Sequence, residues 1–379
     1  MIEVVNAVAY SGTPLEANER GERAWDLVQG TAWNVNSEDV IKFVQQANKK
    51  IELSAKEYTT FRNNPSNREF PSLLATYLSD ESRFVDFHSS YAEHRLSANL
   101  SSSRLEEGAV IVFIHYRLRQ DPEVIVGQEQ PEEIDVSSLE ILKEQFQVLM
   151  VRNTGALKFT EDLQIAETAV IDLKQFVQGC QVDITRFNAS DSDGTDNFLT
   201  FIKGGGDVRE YFKEALFAEK GITNKASSQN VERALNDFWG ANRSELTREV
   251  RDLINSRVYS FSEEHKNQVV TLDDISNIVD GCIPDNSASL RGEFINFANS
   301  GDYEINDEFE LRTNIIRELV YVNLDVGFAK LELDKSEIGD QADNERHVKF
   351  NESTGTVTFT TTLENSQIQM IKMILGNNE

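Results

Sequence analysis

Residues 109–118 form one apolar and aromatic run that is interrupted only by His115 and Arg117. A strand that is apolar at consecutive positions is covered on both faces, whereas a half-exposed strand alternates. We therefore predict a strand here that lies inside a sheet. Further strand signals, separated by turn residues, extend to about residue 187 and fall at residues 123–127, 146–152, 156–160, 167–171 and 181–187.

Two helical patterns precede this strand region. The first begins at Ser37 and the second follows Pro71. Strands that are grouped apart from helices are typical of an α+β fold. We predict an N-terminal α+β domain at residues 1–196, in which an antiparallel sheet carries the earlier helices on one face. A central helical segment is expected at residues 197–283, and a small C-terminal α+β region at residues 284–379.

The chain is strongly acidic, with a formal net charge of -27 over 379 residues. This charge argues against a protein whose whole surface coats DNA, because such binding neutralises phosphates with Lys and Arg. Residues 201–260 differ from the rest, since ten basic side chains there stand against nine acidic ones. This segment presents either a local basic face or solvated helix faces with i,i+4 ion pairs, and its spacing fits both.

The cysteines and the N-terminus indicate the cellular compartment of the protein. Cys180 and Cys282 lie far apart and belong to no C-x-x-C pair, so we expect neither a disulfide framework nor a zinc site. The N-terminus has no leader pattern, and no run approaches the roughly 20 apolar residues of a membrane span. These features predict a cytoplasmic protein with no membrane partner, no metal and no cofactor.

A strand, a basic residue, a flexible turn and a helix start coincide at residues 197–216. The strand signal ends at Lys203, glycines follow at residues 204–206, and an amphipathic helix pattern begins at Asp207. The first turn of a helix has unpaired N–H groups and a positive dipole end, and glycines let an anion approach them. The pattern predicts a phosphate site or a plain strand-to-helix turn. It is not a P-loop, because Lys203 precedes the glycines.

Motifs for catalysis are missing from the sequence. It contains no G-x-S-x-G, no H-E-x-x-H and no G-x-G-x-x-G that opens a Rossmann unit. With 64 acidic residues, close carboxylate pairs are inevitable and have little diagnostic value. His115 is interpreted as a hydrogen-bonded structural residue rather than as a catalytic base. We therefore expect a protein that is not an enzyme.

Several short stretches occur in an order and at a spacing that match one known family. They are the strand and glycine turn at residues 197–206, residues 221–230, Ala234-Leu235-Asn236-Asp237-Phe238, Ile114-His115-Tyr116-Arg117, Gln181-Val182-Asp183-Ile184 and Leu311-Arg312-Thr313. In these stretches the chain resembles the bacterial nucleoid-associated proteins of the NdpA family. The similarity is most specific at residues 198–238.

The resemblance implies a bacterial protein of the nucleoid that binds DNA, forms a homodimer and has no established catalysis. One departure is Gly205, which stands where the family pattern often has Arg, so phosphate contact is left to Lys203, Arg209 and the backbone of the glycines. Together with the neighbouring basic side chains, the residues expected to contact DNA are Lys203, Gly204, Gly205, Gly206, Arg209, Lys213, Asn224, Lys225 and Arg233.

Three functions are compatible with the sequence. The first, which we prefer, is binding of double- or single-stranded DNA with little sequence preference through the central basic face. The second is an acidic interaction module that binds a DNA-handling enzyme or imitates DNA towards it. The third is a metal-dependent nuclease in which carboxylates hold magnesium.

Overall fold

The computed structural model describes most of the chain as two compact units. The described residues are 1–19, 23–103, 105, 107–121, 136–159, 165–189, 198–202, 210–219, 221–301, 303–343 and 345–376. Unit 1 consists of Met1–Asn230 with Ile295–Phe309, and unit 2 consists of Val231–Phe294 with Glu310–Glu379. The division into three parts at residues 196 and 283 stays a prediction, because compactness within one chain does not test which parts fold independently.

Unit 1 contains a mainly antiparallel set of strands and the helices that cover them. Its described strands are β1 (Ile2–Ala17), β2 (Arg23–Gln29), β3 (Lys56–Thr59), β4 (Ala109–Arg119), β5 (Ile141–Phe159), β6 (Ile165–Asp183) and β7 (Leu199–Ile202). Its described helices are α1 (Glu38–Leu53), α2 (Phe70–Ser79), α3 (Phe84–Tyr91), α4 (Ser97–Leu100), α5 (Ile184–Ala189), α6 (Glu210–Ala215) and the first part of α7 (Asn224–Ala241).

The strands of unit 1 form one antiparallel sheet in the order β2-β1-β4-β5-β6-β7-β3. Strand β4 lies inside this sheet, and its side chains alternate between the two faces. Ile111 and Phe113 join a core with α2 and α3, whereas Val112 and Ile114 join a second core with α1. The predicted strand that is covered on both faces is therefore confirmed.

The helices of unit 1 correct one expectation. They were expected on one face of the sheet, but α1 packs on the face opposite to α2 and α3. The physical reason lies in β4, because its apolar side chains project from both faces of the sheet and both sets are stabilised by removal from water. One helix layer would leave Val112 and Ile114 exposed.

The strand boundaries also differ from the prediction. The strand expected at residues 181–187 ends at Asp183, whose Oδ1 accepts the N–H of Arg186 at 3.0 Å and so caps α5. The signals at residues 146–152 and 156–160 belong to the single strand β5, and β2 and β3 were not predicted. The candidate strand at residues 123–127 lies outside the described residues.

Unit 2 is built from the rest of the central helices and from short C-terminal strands. The remaining elements, some of which run across the boundary between the units, are α8 (Arg248–Glu264), β8 (Val269–Thr271), α9 (Leu272–Asp280), α10 (Glu293–Ser300), β9 (Glu308–Glu310), α11 (Thr313–Val320), β10 (Tyr321–Asp325), β11 (Lys330–Asp334), β12 (Ile338–Asp340), β13 (Val348–Asn351), β14 (Thr356–Phe359) and α12 (Asn365–Ile374).

The strands of unit 2 form small sheets. Strands β10 and β11 are an antiparallel hairpin, and β13 pairs parallel with β12 and antiparallel with β14. Helix α9 begins with a capping box in which Thr271 Oγ1 accepts the Asp274 N–H at 3.1 Å and Asp274 Oδ2 accepts the Thr271 N–H at 2.8 Å. The expected α+β fold is confirmed, although α12 was not predicted.

Lys56 is a lysine that lies in the interior of unit 1. It is 5% exposed, and its Nζ donates to the carbonyl oxygens of Glu52 at 2.7 Å and Asn299 at 2.6 Å. Burial lowers the pKa of the Lys56 ammonium from 10.5 to about 7, although the nearby Glu52 acts in the opposite direction. Between these two pKa values the unfolded chain binds more protons than the folded chain.

We therefore expect the free energy of unfolding to rise with pH from about 7 to 10, by at most about 1.4 kcal/mol per pH unit from this one group. The variant Lys56→Met lacks this rise, because it has no ammonium group to discharge. Urea unfolding of both proteins across this pH range checks the prediction. The control Lys49→Met removes an exposed lysine of α1 and should keep the wild-type slope; a wild-type slope in Lys56→Met contradicts the prediction.

Candidate nucleic-acid interface

The predicted strand-turn-helix motif is described only at its two ends. Strand β7 is described as far as Ile202, one residue before the predicted strand end at Lys203, and its Phe201 is fully buried. Helix α6 is described from Glu210. The intervening candidates, which are Lys203, Gly204, Gly205, Gly206 and Arg209, lie outside the described residues. Their contact with DNA stays a prediction.

Lys213, on α6, is engaged in ion pairs within unit 1. Its Nζ lies 2.7 Å from Glu57 Oε1 and 3.6 Å from Glu210 Oε1, and its side chain is 19% exposed. On the same helix, Glu214 pairs with Arg62. A phosphate that contacts Lys213 would therefore compete with the carboxylate of Glu57, which lowers the gain from that contact.

Three further candidates lie on helix α7. Asn224 is the first residue of the helix, and the preceding Thr223 accepts the N–H of Ala226 with its Oγ1 at 3.2 Å. Lys225 and Arg233 are exposed on this helix. Of the predicted contact residues that the structure describes, Lys225 and Arg233 are the exposed ones.

Trp239, near the end of α7, lies between two guanidinium groups. Arg243 Cζ is 4.6 Å and Arg251 Cζ is 4.7 Å from the centre of its rings. Such cation–π contacts contribute about 0.5–1 kcal/mol at exposed sites. Arg251 Nε also donates to Asp252 Oδ1 at 3.0 Å. Two of the basic residues of the central segment therefore pack against one aromatic side chain of unit 2.

A second group of basic residues lines a cavity of about 350 Å³ in unit 2. Its members are Lys266, Arg312 and Arg317. The Arg312 guanidinium lies 3.4 Å from Glu310, and Arg317 pairs with Glu332. Sequence reasoning missed this group, because Lys266 follows α8, whereas Arg312 is the N-cap of α11 and Arg317 lies in its last turn. Only tertiary structure brings them together.

His115 is held in a buried hydrogen-bonded chain in unit 1. Its Nδ1 lies 2.7 Å from the Tyr77 hydroxyl and its Nε2 lies 3.0 Å from Glu144 Oε1. Because the Glu144 carboxylate can only accept, Nε2–H of His115 donates to it, and Nδ1 of the neutral imidazole then accepts the proton of the Tyr77 hydroxyl. The Tyr77 oxygen in turn accepts from Asn6 Nδ2 at 2.9 Å. The predicted hydrogen bonding of His115 is confirmed, and its purely structural role stays a prediction.

Arg117 completes this chain on its carboxylate side. Its Nε donates to Glu144 Oε1 at 2.6 Å, and it also pairs with Glu81. Among the described residues, Glu81, His115 and Glu144 have ligand atoms within 4.8 Å of one another, the arrangement that a metal ion needs. The contacts of Glu81 and Glu144 with Arg117, and of His115 with Tyr77, also hold these ligand atoms close together without an ion.

The comparison with known proteins decides the family. A family model described as "Nucleoid-associated protein YejK" matches residues 28–366. The chain belongs to this family. The resemblance that the sequence motifs indicate is thereby confirmed for most of the chain, the strand-turn-helix motif included.

Individual members of the YejK family are distant in sequence from this chain. Proteins named "Nucleoid-associated protein YejK" from Shigella sonnei (strain Ss046) and from Escherichia coli O1:K1 / APEC are each 22% identical to it over 364 residues. These alignments cover 95% of this chain and 96% of each relative. In the part of the chain that the structure describes, no helix is long and apolar enough to cross a membrane.

The hydrogen-bonded chain around Glu144 predicts a pH-dependent stability. The hydrogen bond from His115, followed by that from Arg117, lowers the pKa of the Glu144 carboxyl, while burial opposes this shift. A lowered pKa in the folded state means that the stabilisation is present above the unfolded pKa and is lost as the pH falls through the folded value.

We expect Glu144→Gln to lower the free energy of unfolding by about 1.5–3 kcal/mol at pH 7, because charge-assisted hydrogen bonds are lost. The difference from wild type should shrink as the pH falls from the ordinary glutamate pKa of about 4.3 through the lower pKa of the folded state. Urea unfolding at pH 7 and at acidic pH measures both. The control Glu140→Gln changes an exposed carboxylate next to β5; equal effects of the two substitutions would contradict the role of the buried chain.

Proposed function

We propose that this chain is a nucleoid-associated protein of the bacterial cytoplasm that binds DNA with little sequence preference and catalyses no reaction. The observation that carries the proposal is the match of the nucleoid-associated family over residues 28–366. Association with the nucleoid is most simply association with DNA, and contacts that go to phosphates read no sequence.

The contact surface that we propose is the strand-turn-helix motif together with the start of α7. Lys203 and Arg209 supply charge, the backbone N–H groups of Gly204, Gly205 and Gly206 approach the phosphate, and Lys213, Asn224, Lys225 and Arg233 extend the surface. The exposure of Lys225 and Arg233 supports this assignment. The ion pairs of Lys213 with Glu57 and Glu210 make it the weakest contributor.

The charge of the rest of the chain sets the mode of binding. The whole chain carries a net charge of -27, so its surface outside a small basic region repels the phosphate backbone. Few phosphates are therefore neutralised per molecule, and neighbouring molecules on one duplex repel each other. We propose local binding at separated positions on DNA rather than a continuous coat.

We expect the double variant Lys203→Ala/Arg209→Ala to weaken DNA binding and to reduce the slope of log K against log salt by about 2, one unit for each lost phosphate contact. Lys225→Ala/Arg233→Ala should have a smaller effect in the same direction. Fluorescence anisotropy with double- and single-stranded DNA at several salt concentrations measures both quantities.

The matched control is Lys49→Ala/Lys50→Ala, which removes the same charge from the exposed end of α1. It should bind DNA with the wild-type salt slope. If the control loses as much affinity as the first variant, only net charge matters and the assigned surface is wrong. If the wild type binds no DNA at low salt, direct DNA binding is wrong.

A second candidate function is favoured by the acidic surface. A chain with a net charge of -27 suits a basic partner, such as a DNA-handling enzyme that it binds or towards which it imitates DNA. Capture of such an enzyme that survives nuclease treatment, combined with no DNA binding by the purified chain, would favour this function. Magnesium-dependent cleavage of DNA would instead overturn the proposed lack of catalysis.

We further propose that the chain forms a homodimer through its C-terminal segment, residues 352–376. Helix α12 has no buried residue, and Met373, Ile374 and Phe359 are 63%, 74% and 51% exposed. Exposed apolar surface favours association, by about 25 cal/mol per Å² removed from water. Two copies can meet here despite their charge, because the segment carries only the charged residues Glu352, Glu364 and Lys372.

We expect Met373→Lys/Ile374→Lys to convert a dimer into a monomer, since the added positive charges of both copies would be buried against each other in the contact. Sedimentation velocity of wild type and variant measures the mass directly. The control Val85→Lys places a charge on another exposed apolar position, in α3, and should leave the dimer intact. A monomeric wild type, or a dimeric variant, contradicts the proposed contact.

A further inference from the structure

A small polar cavity of about 100 Å³ lies in unit 1, between the sheet and α1. Gln145 of β5, Gln181 of β6 and Thr200 of β7 line it from the sheet, and Asn48 lines it from α1. The three residues of the sheet lie on neighbouring strands at positions that are either paired or two residues from a paired position, so their side chains lie on the same face. The cavity is therefore lined mainly by the sheet and α1, and Asn299, Ser300, Gly301 and Glu304 complete its lining.

The hydrogen-bond donors around this cavity are largely used. The Tyr116 hydroxyl donates to Asn48 Oδ1 at 2.6 Å, and Asn48 Nδ2 donates to Glu52 Oε1 at 2.9 Å. Gln147 Nε2 donates to the Tyr116 oxygen at 2.8 Å and to Gln181 Oε1 at 3.0 Å. These contacts take the hydroxyl proton of Tyr116 and both amide protons of Gln147.

The charged groups of the lining balance each other. Lys56 donates to the carbonyl oxygens of Glu52 and Asn299, and Arg186 pairs with Glu304. The ionisable side chains that line the cavity are three bases and three acids, namely Lys56, Lys143, Arg186, Glu52, Asp183 and Glu304. An anion fits such a lining poorly, because the bases at most equal the acids in number and Lys56, with its pKa lowered to about 7, loses its charge above that pH. A neutral ligand needs no counter-charge.

One wall group lacks a partner. The Gln145 side chain is 3% exposed, and its Oε1 accepts no hydrogen bond in the part of the chain that the structure describes. A buried acceptor left without a donor is destabilising, because it has lost its hydrogen bond to water. An amide carries an acceptor and two donors side by side, so the group that complements it best is a second amide, which forms a pair of hydrogen bonds with it.

We propose that this cavity binds a primary carboxamide or urea group. The ligand N–H donates to Gln145 Oε1, and Gln145 Nε2 donates to the ligand oxygen. The volume limits the ligand, because about 100 Å³ holds about three water molecules at roughly 30 Å³ each. This space accepts acetamide, urea or the amide end of a glutamine side chain. The proposal does not depend on DNA binding.

Saturation-transfer NMR of the full chain with acetamide tests the proposal, with acetate as a control of the same shape that lacks an N–H donor and carries a charge. Acetamide should give a saturable signal and acetate none. In Gln145→Met, which keeps the side-chain length, acetamide binding should fall by roughly tenfold or more. The thermal unfolding midpoint of this variant shows whether it is folded, and the comparison of acetamide with acetate in the wild type needs no variant.

Two further ligands distinguish the source of the amide. Binding of free glutamine points to an amino-acid side chain, whereas binding of urea without glutamine points to a small free amide. The proposal is overturned if no amide gives a saturable signal in the wild type, which means that ordered water alone fills the cavity. It is also overturned if acetate binds as well as acetamide, or if folded Gln145→Met binds acetamide like the wild type.

Discussion

The burial of β4 on both faces is the constraint on which unit 1 depends. Its apolar side chains require cover from α1 on one side and from α2 and α3 on the other. Two of its polar side chains, His115 and Tyr116, are fully buried and point to opposite faces, and each needs partners where no water reaches. Tyr77 and Glu144 form hydrogen bonds with His115, while Asn48 and Gln147 form hydrogen bonds with Tyr116. These hydrogen bonds fix the helices against the sheet.

Electrostatics determines what the acidic chain offers to DNA. Several basic side chains that a sequence count assigns to a basic face are engaged within the protein: Lys213 pairs with Glu57, and Arg243 and Arg251 stack on Trp239. Counting charges in sequence therefore overstates the available positive surface. The proposed DNA contact rests on few residues, which is consistent with local binding that weakens with salt.

The sequence predicts the elements whose signal is local. The apolar run of β4, interrupted only by His115 and Arg117, marks a doubly covered strand. The strand end at Asp183 was missed, because its helix cap competes with a strong strand pattern. The cavity beside Gln145 was not predictable, since its walls come from several strands and a helix that lie far apart in sequence. The family was predictable, because its motifs keep their order.

Photo-crosslinking to DNA tests the central claim most directly. The full chain is irradiated with a duplex that carries 5-iodouracil at many positions, and crosslinked peptides are identified by mass spectrometry. Crosslinks should concentrate in peptides that contain residues 203–213 and 225–233, and they should disappear as salt is raised. Crosslinks confined to other regions, for example to the basic cavity around Lys266 and Arg312, or no crosslinks at low salt, would contradict the account.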